Sequence, residues 1–409
     1  MTENRSTNFE ELRHLLSDRA VSGETVVLNM GPQHPATHGV LRVLIELDGE
    51  TLVNAIPDIG FLHTGVEKEI ENKTYQKSEV LTDRLDYMNP IGNNLAYCLA
   101  VEKLVELDVP PRAQAIRVIL AELTRLSSHL LWLGTTGLDL GAISPFLYTM
   151  REREALLDIF ELCSGARMMT TYIRPGGVWR DVPGEFEGAV KNILATFPKR
   201  IDEYERLLTK NILFLDRTSK IGLITTEDCY HYGITGPVLR ATGIKHDLRK
   251  AQPYSGYEQY DFDIPTETTG DVLGRYRVRV AEMRQSLRIV DQALKQMPGG
   301  PVNSSNRKFV PPPRSELGES MEALIHHFKL WTEGFPAPKG SVYVAVESPR
   351  GELGVFLEGD GGPKPYRCHY RTPSFANLQT LPLMVKGRFM ADIVAIIASI
   401  DIVLGDCDR

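Results

Sequence analysis

Residues 112–133 read RAQAIRVILAELTRLSSHLLWL, and this stretch determines what kind of fold the chain can adopt. Apolar residues recur in it at the three- and four-residue spacing of an α-helix with a broad apolar face. Pro110 and Pro111 stand where a helix can begin, and Gly134 stands where one can end. The pattern predicts a long helix from Arg112 to Leu133 that is buried along most of its length.

Four ionisable residues interrupt this apolar helix: Arg117, Glu122, Arg125 and His129. Glu122 and Arg125 share one helix face, as do Arg125 and His129. A buried charge needs a partner of opposite charge or several hydrogen bonds. We expect structural ion pairs for most of these residues, and a path for protons is the alternative.

Several other segments have recognisable periodicity. Long helices are predicted at Asn93–Leu107, Pro145–Cys163, Glu185–Lys210 and Asp271–Met297, the last two as charge-laced outer helices of a bundle. Short strands are predicted at Thr25–Met30, Gly39–Leu47, Thr51–Pro57, Ser341–Glu347, Glu352–Glu358 and Tyr366–Thr372, and two short helices at the end of the chain. The order predicts an α+β fold, in which small antiparallel β-sheets in the N- and C-terminal parts flank a central long-helix bundle.

A β-hairpin is predicted near the start of the chain, where Asp48-Gly49 separates two of these strands. Leu41, Val43, Ile45 and Leu47 lie on one face of the first strand and form its expected core face. We divide the chain into a polar lead-in, residues 1–24, with a short amphipathic helix at Phe9–Leu16, and one domain, residues 25–409. Within that domain, 25–65 is rich in strands, 66–335 is the helical bundle, and 336–409 holds a β-meander and the C-terminal helices.

Composition excludes several classes of protein. The net charge of −7 argues against nucleic acid as a partner, since phosphate binding needs a basic surface. No apolar run approaches the roughly 20 residues of a membrane-spanning helix, because Asp392 and Asp401 interrupt the most apolar segment. The N-terminus has neither a signal-peptide core nor a transit-peptide composition. The five cysteines form no C-x-x-C pair, so neither a disulfide framework nor a metal motif is predicted, and a reducing cytoplasmic compartment is expected.

Three segments could carry chemistry. GPQHPATHG (31–39) places His34 and His38 in a loop stiffened by prolines, where either a structural or a site role is open. TDRLDY (82–87) has the composition of a helix cap with local ion pairs. GLDLG (137–141) places Asp139 among apolar residues, where burial raises a carboxyl pKa. Nucleotide binding is not expected, because the chain lacks both a glycine-rich dinucleotide fingerprint and a P-loop.

Longer motifs resemble the catalytic core subunit of respiratory complex I that is related to hydrogenases: GPQHPATHG, GFLHTGVEK (60–68), TDRLDY, RVILAELTRLSSHLLWLG (117–134), PFLYTMRERE (145–154), RPGGV (174–178), AQPYSGYE (251–258), SPRGELG (348–354) and SIDIVLGDCDR (399–409). The resemblance runs from about residue 25 to the C-terminus.

That family is in turn similar to the large subunit of nickel–iron hydrogenases, which hold their metal with two cysteine pairs. Here those four positions are Thr64, Glu67, Val403 and Asp406, and no metal is expected because soft thiolate ligands are missing.

The resemblance also implies roles for particular residues. His38 and Tyr87 would hydrogen-bond the headgroup of a quinone and supply protons for its reduction to quinol. Asp139 would be the charged partner of His38, and Val403, Thr64 and Glu67 would line the pocket. Arg84 would lie beside the terminal iron–sulfur cluster.

Partners and cofactors follow from the same resemblance. The [4Fe-4S] cluster would belong to a four-cysteine iron–sulfur subunit, and NADH and FMN would bind other subunits of the peripheral arm. Membrane-arm subunits would provide contact with the membrane, so the chain would be a peripheral protein on the cytoplasmic side of the cell membrane. The implied function is that of the quinone-binding subunit of a proton-translocating NADH:quinone oxidoreductase, inactive alone. The alternatives are a catalytically silent assembly scaffold, a plastid-type ferredoxin:plastoquinone reductase subunit and a nickel hydrogenase.

One position departs from the family pattern. Many relatives carry a histidine near the cluster where this chain has Met169. A thioether has no proton to exchange near neutral pH. We therefore predict that the reduction potential of the terminal cluster in the assembled complex depends only weakly on pH. Redox titrations at several pH values test this, and a steep slope would contradict it.

Overall fold

The computed structural model describes residues 24–409, and the helix predicted at Phe9–Leu16 lies outside them. The α+β prediction is confirmed, because long helices occupy the middle of the chain and three-stranded antiparallel sheets stand before and after them. No helix among the described residues is both long enough and apolar enough to span a membrane. The division into parts at residues 24, 65 and 335 stays a prediction.

The helices and strands follow one another in a fixed order. The first part of the chain contains β1 (Val26–Met30), β2 (Arg42–Asp48), β3 (Thr51–Asp58), α1 (Val66–Asn72), α2 (Tyr75–Thr82), α3 (Pro90–Val105), α4 (Pro111–Asp139) and α5 (Ile143–Ser164). The middle contains β4 (Ile173–Arg174), β5 (Gly177–Val178), α6 (Phe186–Tyr204), α7 (Ile212–Asp216), α8 (Thr226–His231), α9 (Gly236–Arg240), α10 (Leu248–Ala251), α11 (Val272–Gln296) and α12 (Met321–Thr332). The last part contains β6 (Gly340–Ser348), β7 (Gly351–Gly359), β8 (Pro365–Arg371), α13 (Pro373–Leu378), α14 (Leu381–Val385), α15 (Asp392–Ile400) and α16 (Leu404–Asp408).

Helix α4 is the central helix of the bundle, and it continues past the predicted end at Gly134 to Asp139. A side chain at Gly134 would meet the hydroxyl of Thr149 on α5 at 2.3 Å. Glycine is therefore present inside the helix because α5 packs directly against its backbone. The sequence pattern alone could not distinguish this use of glycine from a helix end.

Helix α11 was predicted on the outside of the bundle, and this prediction is wrong. Its Arg275, Arg279 and Glu282 are buried, and the helix packs against α4. The charges have partners: Arg279 donates to the carbonyl of Ser399 at 2.8 Å, and Glu282 pairs with Arg240. Charged residues on a helix suggest a solvent-facing surface only where no buried partners exist.

The N-terminal sheet has the order β1-β2-β3, and its β2–β3 hairpin turns through Gly49 and Glu50, one residue later than predicted. The predicted core face is confirmed, since Leu41, Val43, Ile45 and Leu47 are all buried. The opposite face is buried as well, as shown by Arg42, Leu44 and Glu46. The sheet is therefore covered on both sides and shares its apolar core with the C-terminal helices.

The C-terminal sheet has the order β6-β7-β8 and packs against α1 and α3. Four short helices, α13 to α16, follow it where the sequence predicted two. The turn between β6 and β7 consists of Pro349 and Arg350, and it carries Arg350 into the interior, where the residue is 2% exposed.

The last helix, α16, packs against the chain just before Tyr87. An added Cβ at Gly405 would lie 2.4 Å from the carbonyl oxygen of Leu85.

We predict that Gly405→Ala destabilises the full chain by about 1–3 kcal/mol, because the new methyl group must displace backbone atoms of residues 84–85. The measurement is the free energy of unfolding in denaturant. Gly188→Ala is the matched control, since Gly188 lies within α6 with open space around it. There we expect no loss, or a small gain from the higher helix propensity of alanine. Equal effects of the two substitutions would contradict the close packing of α16.

Candidate functional site

The buried guanidinium of Arg350 joins three segments of the chain. It donates to Asp86 in the loop after α2 at 3.0 Å and to Ser128 on α4 at 2.6 Å. It also binds the carboxylate and the carbonyl oxygen of Asp401, each at 3.2 Å. The pKa of Arg350 is raised, because the charges of Asp401 and Asp86 outweigh the effect of burial. One side chain thus fixes the relative positions of these segments.

Asp401 follows α15 in the left-handed backbone conformation, with φ of 51°. Its second carboxylate oxygen has no hydrogen-bond partner within residues 24–409 and lies 4.0 Å from the guanidinium of Arg279. The ring of Trp132 lies 4.5 Å below that guanidinium. Burial lowers the pKa of Arg279 to about 10, which leaves it charged at neutral pH.

His38 ends a short 3₁₀ helix, Pro35–Thr37, and also has a left-handed backbone, with φ of 55°. It is exposed on this chain, yet the protein around its imidazole lowers the pKa of the ring by desolvation. The negative charge of Asp401 raises that pKa, and the positive charge of Arg350 lowers it. The imidazole has no hydrogen-bond partner in the part of the chain that the structure describes. His34 instead accepts a hydrogen bond from the amide of Ala36 and stabilises the loop.

Tyr87 is half-buried in the loop that follows α2. Burial raises the pKa of its hydroxyl, as do the charges of Asp86 and Asp401, whereas Arg350 lowers it. The hydroxyl forms no hydrogen bond with any described residue. The charges of Arg350 and Asp401 therefore act on both His38 and Tyr87, the two candidate proton donors.

The TDRLDY segment differs from its predicted role as a helix cap with local ion pairs. Asp86 pairs with Arg350, which is distant in sequence. Asp83 accepts hydrogen bonds from the amide and hydroxyl of Thr171, at 3.1 and 2.5 Å, and burial raises its pKa to about 6. Arg84 is exposed, and it donates to the carbonyl of Val80. The Asp83–Thr171 contacts bring the surface around Arg84 next to the segment that contains Met169.

Asp139 is half-buried at the end of α4, and burial raises its pKa to about 6. Neither a hydrogen bond nor an ion pair joins Asp139 to His38 within the described range. The negative charge that acts on His38 is that of Asp401. The Asp139–His38 pair stays a prediction. Most of the ionisable residues of α4 form the predicted ion pairs, since Arg117 pairs with Glu102 and Arg125 with Glu122. His129 forms a hydrogen bond with Glu282 at 3.0 Å, and burial lowers the pKa of its ring.

The four residues that the resemblance to hydrogenases would put in place of metal ligands do not fit a nickel centre. Val403 is buried and offers no ligand, and Thr64 is exposed. Glu67 accepts from the amide of Tyr370 at 2.8 Å, and Asp406 accepts from the amide of Ser374 at 3.1 Å. No group of three or more His, Cys, Asp or Glu side chains in residues 24–409 is arranged to hold a metal ion.

Sequence reasoning did not assign a role to Arg350 or Asp401. The signal was present in both cases: an arginine within an apolar hairpin, SPRGELG, and a carboxylate between isoleucines, SIDIV. Charges in such surroundings require partners. Which partners they find depends on contacts between residues far apart in the chain.

Comparison with known proteins gives one consistent result. The family model described as "Respiratory-chain NADH dehydrogenase, 49 Kd subunit" matches residues 139–409. A relative from Chloroflexus aurantiacus, named as a subunit of NADH-quinone oxidoreductase, is 60% identical over 395 residues, covering 95% of this chain and 96% of the relative. A relative from Geotalea uraniireducens, named as the same subunit, is 53% identical over 388 residues, covering 95% of this chain and all of the relative.

We predict that Arg350→Leu destabilises the full chain by about 3–5 kcal/mol at neutral pH, because Asp86 and Asp401 lose their buried counter-ion. Without it, the folded-state pKa of Asp86, which burial already raises, should rise further. The penalty should then shrink as the pH falls and this carboxyl becomes protonated. Denaturant unfolding at several pH values measures this. Arg217→Leu is the control, since the ion pair of Arg217 with Asp392 is partly exposed. A loss of stability in Arg350→Leu that does not change with pH would contradict the assignment of Arg350 as the counter-ion of Asp86 and Asp401.

Proposed function

Because this chain belongs to the family of the 49 kDa subunit of the respiratory-chain NADH dehydrogenase, we propose that it forms the quinone-reducing site of that complex. His38 and Tyr87 would bind the two oxygens of the quinone headgroup. The strongest support is that both side chains have polar groups without hydrogen-bond partners in residues 24–409. The charges of Arg350 and Asp401 also act on both of them. A ligand with two acceptor oxygens would use both of these groups.

The perturbed pKa values suit proton delivery that waits for electrons. A raised pKa keeps the Tyr87 hydroxyl protonated until a strong base is present. The reduced headgroup is such a base, and it would take the phenolic proton. The lowered pKa of His38 keeps its ring neutral at rest, so that one ring nitrogen can donate a hydrogen bond to the quinone. Negative charge on the reduced headgroup, together with Asp401, would favour the imidazolium form.

The electrons would come from an iron–sulfur cluster held by a partner subunit. Arg84 and Met169 lie on neighbouring segments at the surface, joined through the Asp83–Thr171 hydrogen bonds, and would face that cluster. NADH and FMN would bind other subunits, and this chain would supply placement, protons and electrostatics. Contact with the membrane, on its cytoplasmic side, and the coupling to proton translocation would be provided by further subunits.

We predict that Tyr87→Phe in the assembled complex lowers quinone turnover about 100-fold, the usual contribution of a positioned acid. Reduction of the iron–sulfur clusters by NADH should be unchanged, since the substitution removes only the hydroxyl. Stopped-flow reduction and steady-state turnover measure the two steps separately. Tyr230→Phe, at an exposed position on α8, is the control and should retain full turnover. Normal turnover in Tyr87→Phe would favour a catalytically silent scaffold.

A further inference from the structure

One of the buried carboxyls near Arg350 lacks a counter-ion among the described residues. Three buried carboxyls, those of Asp86, Asp401 and Asp406, stand near two buried guanidiniums, those of Arg350 and Arg279. Asp86 forms an ion pair with Arg350, and Asp401 lies within 4.0 Å of both arginines. Asp406 forms no ion pair with any described residue. Burial of an uncompensated charge is costly, so a buried carboxyl of this cluster that lacks a counter-ion is favoured in its protonated form.

Asp406 is the carboxyl placed to hold that proton. It is 1% exposed, and one of its oxygens accepts from the amide of Ser374. The other oxygen, although buried, has no partner among residues 24–409. Burial and the charge of Asp86 together raise the pKa of Asp406 to about 7, although the hydrogen bonds from Ser374 and the charge of Arg350 act in the opposite direction.

The position of Asp406 relates it to Tyr87. Gly405 is pressed against the carbonyl oxygens of residues 84 and 85, so that α16 lies directly behind the loop that presents Tyr87. Asp86 is common to both groups, since its charge acts on Asp406 and on Tyr87. Cys407, on the same helix, also acts on Tyr87. Burial raises the pKa of that thiol well above neutral, so it does not titrate in this range.

We propose that Asp406 is a positioning residue that stores a proton behind Tyr87 and returns it to Tyr87 after each turnover. This rests on the proposed function. In the first step the O–H bond of Tyr87 breaks, and its proton forms an O–H bond of the quinol. In the second step the O–H bond of Asp406 breaks. Its proton passes Asp86 and forms the O–H bond of Tyr87 again. The carboxylate then regains a proton from water. The two electrons come from the partner's cluster and do not pass through Asp406.

The test compares the pH dependence of quinone turnover in complexes that carry Asp406→Asn, Asp406→Glu or the control Asp392→Asn. Asp392 is also a buried aspartate, but it pairs with Arg217 away from Tyr87. Wild-type turnover should fall as the pH rises through about 7, where Asp406 loses its proton. In Asp406→Asn this dependence should disappear, with a loss of about tenfold on the acid side. Asp406→Glu and Asp392→Asn should retain it. A wild-type pH profile in Asp406→Asn would overturn the proposal.

Two further measurements separate this proposal from a structural role and from the proposed function itself. Because Asp406 acts through Tyr87, Asp406→Asn should add no further loss in a Tyr87→Phe background, whereas independent effects would add. If Asp406→Asn does not assemble, Asp86→Asn should move the midpoint of the pH profile to lower pH, since the charge that raises the pKa of Asp406 is removed. If the midpoint of the pH profile does not move in Asp86→Asn, the proposed role of Asp406 as a proton store is contradicted. Normal turnover in Tyr87→Phe would instead refute the quinone site.

Discussion

The ion pairs of Arg350 are the constraint on which the site depends. A guanidinium that is removed from water requires almost all of its donors to be satisfied, and here the acceptors come from the loop after α2, from α4 and from the segment between α15 and α16. These segments are far apart in the sequence, with separations of 264, 222 and 51 residues from Arg350. Because no single segment can move without leaving a buried charge unpaired, the loop that carries Tyr87 has a fixed position.

This arrangement places charges in the interior and candidate reactive groups at the surface. Arg350, Asp401 and Asp86 are buried, whereas His38 and Tyr87 are at least partly accessible. A buried dipole that is held rigidly acts more strongly on a neighbouring ligand than one exposed to water, because it does not need to reorganise. Under the proposed function, fixed charges would therefore polarise the candidate site before a ligand binds, and a partner subunit would cover it and exclude water.

The sequence predicted those features that depend on local pattern. The α+β order of elements, the core face of β2 and the start of α4 follow from the spacing of apolar residues and from proline. The end of α4 could not be predicted in this way, because Gly134 is used for contact with α5. The burial of α11 could not be predicted either, because its charged side chains find partners on other elements, and the spacing of residues in the sequence contains no information about those partners. The candidate site shows the same limit. His38 and Tyr87 came from the resemblance, whereas the roles of Arg350 and Asp401 became visible only once the contacts between distant segments were known.

Long-range contacts also join the two ends of the part of the chain that the structure describes. A metal bound by ligands from both ends of a chain is also a cross-link between them. In this chain carboxylates make that cross-link: Asp408 accepts from the amides of Gly60 and Leu62, at 2.9 and 2.6 Å, and Glu67 pairs with Arg409. Hydrogen bonds to a carboxylate are charge-assisted and directional, so they can hold the last helix against residues 60–67 without a metal. Unlike a metal–thiolate bond, however, a carboxylate can exchange protons near neutral pH when it is buried. Asp406 lies on the same helix as Asp408, and its burial raises its pKa to about 7. The segment that this cross-link holds in place therefore also carries a carboxyl that can exchange a proton near neutral pH.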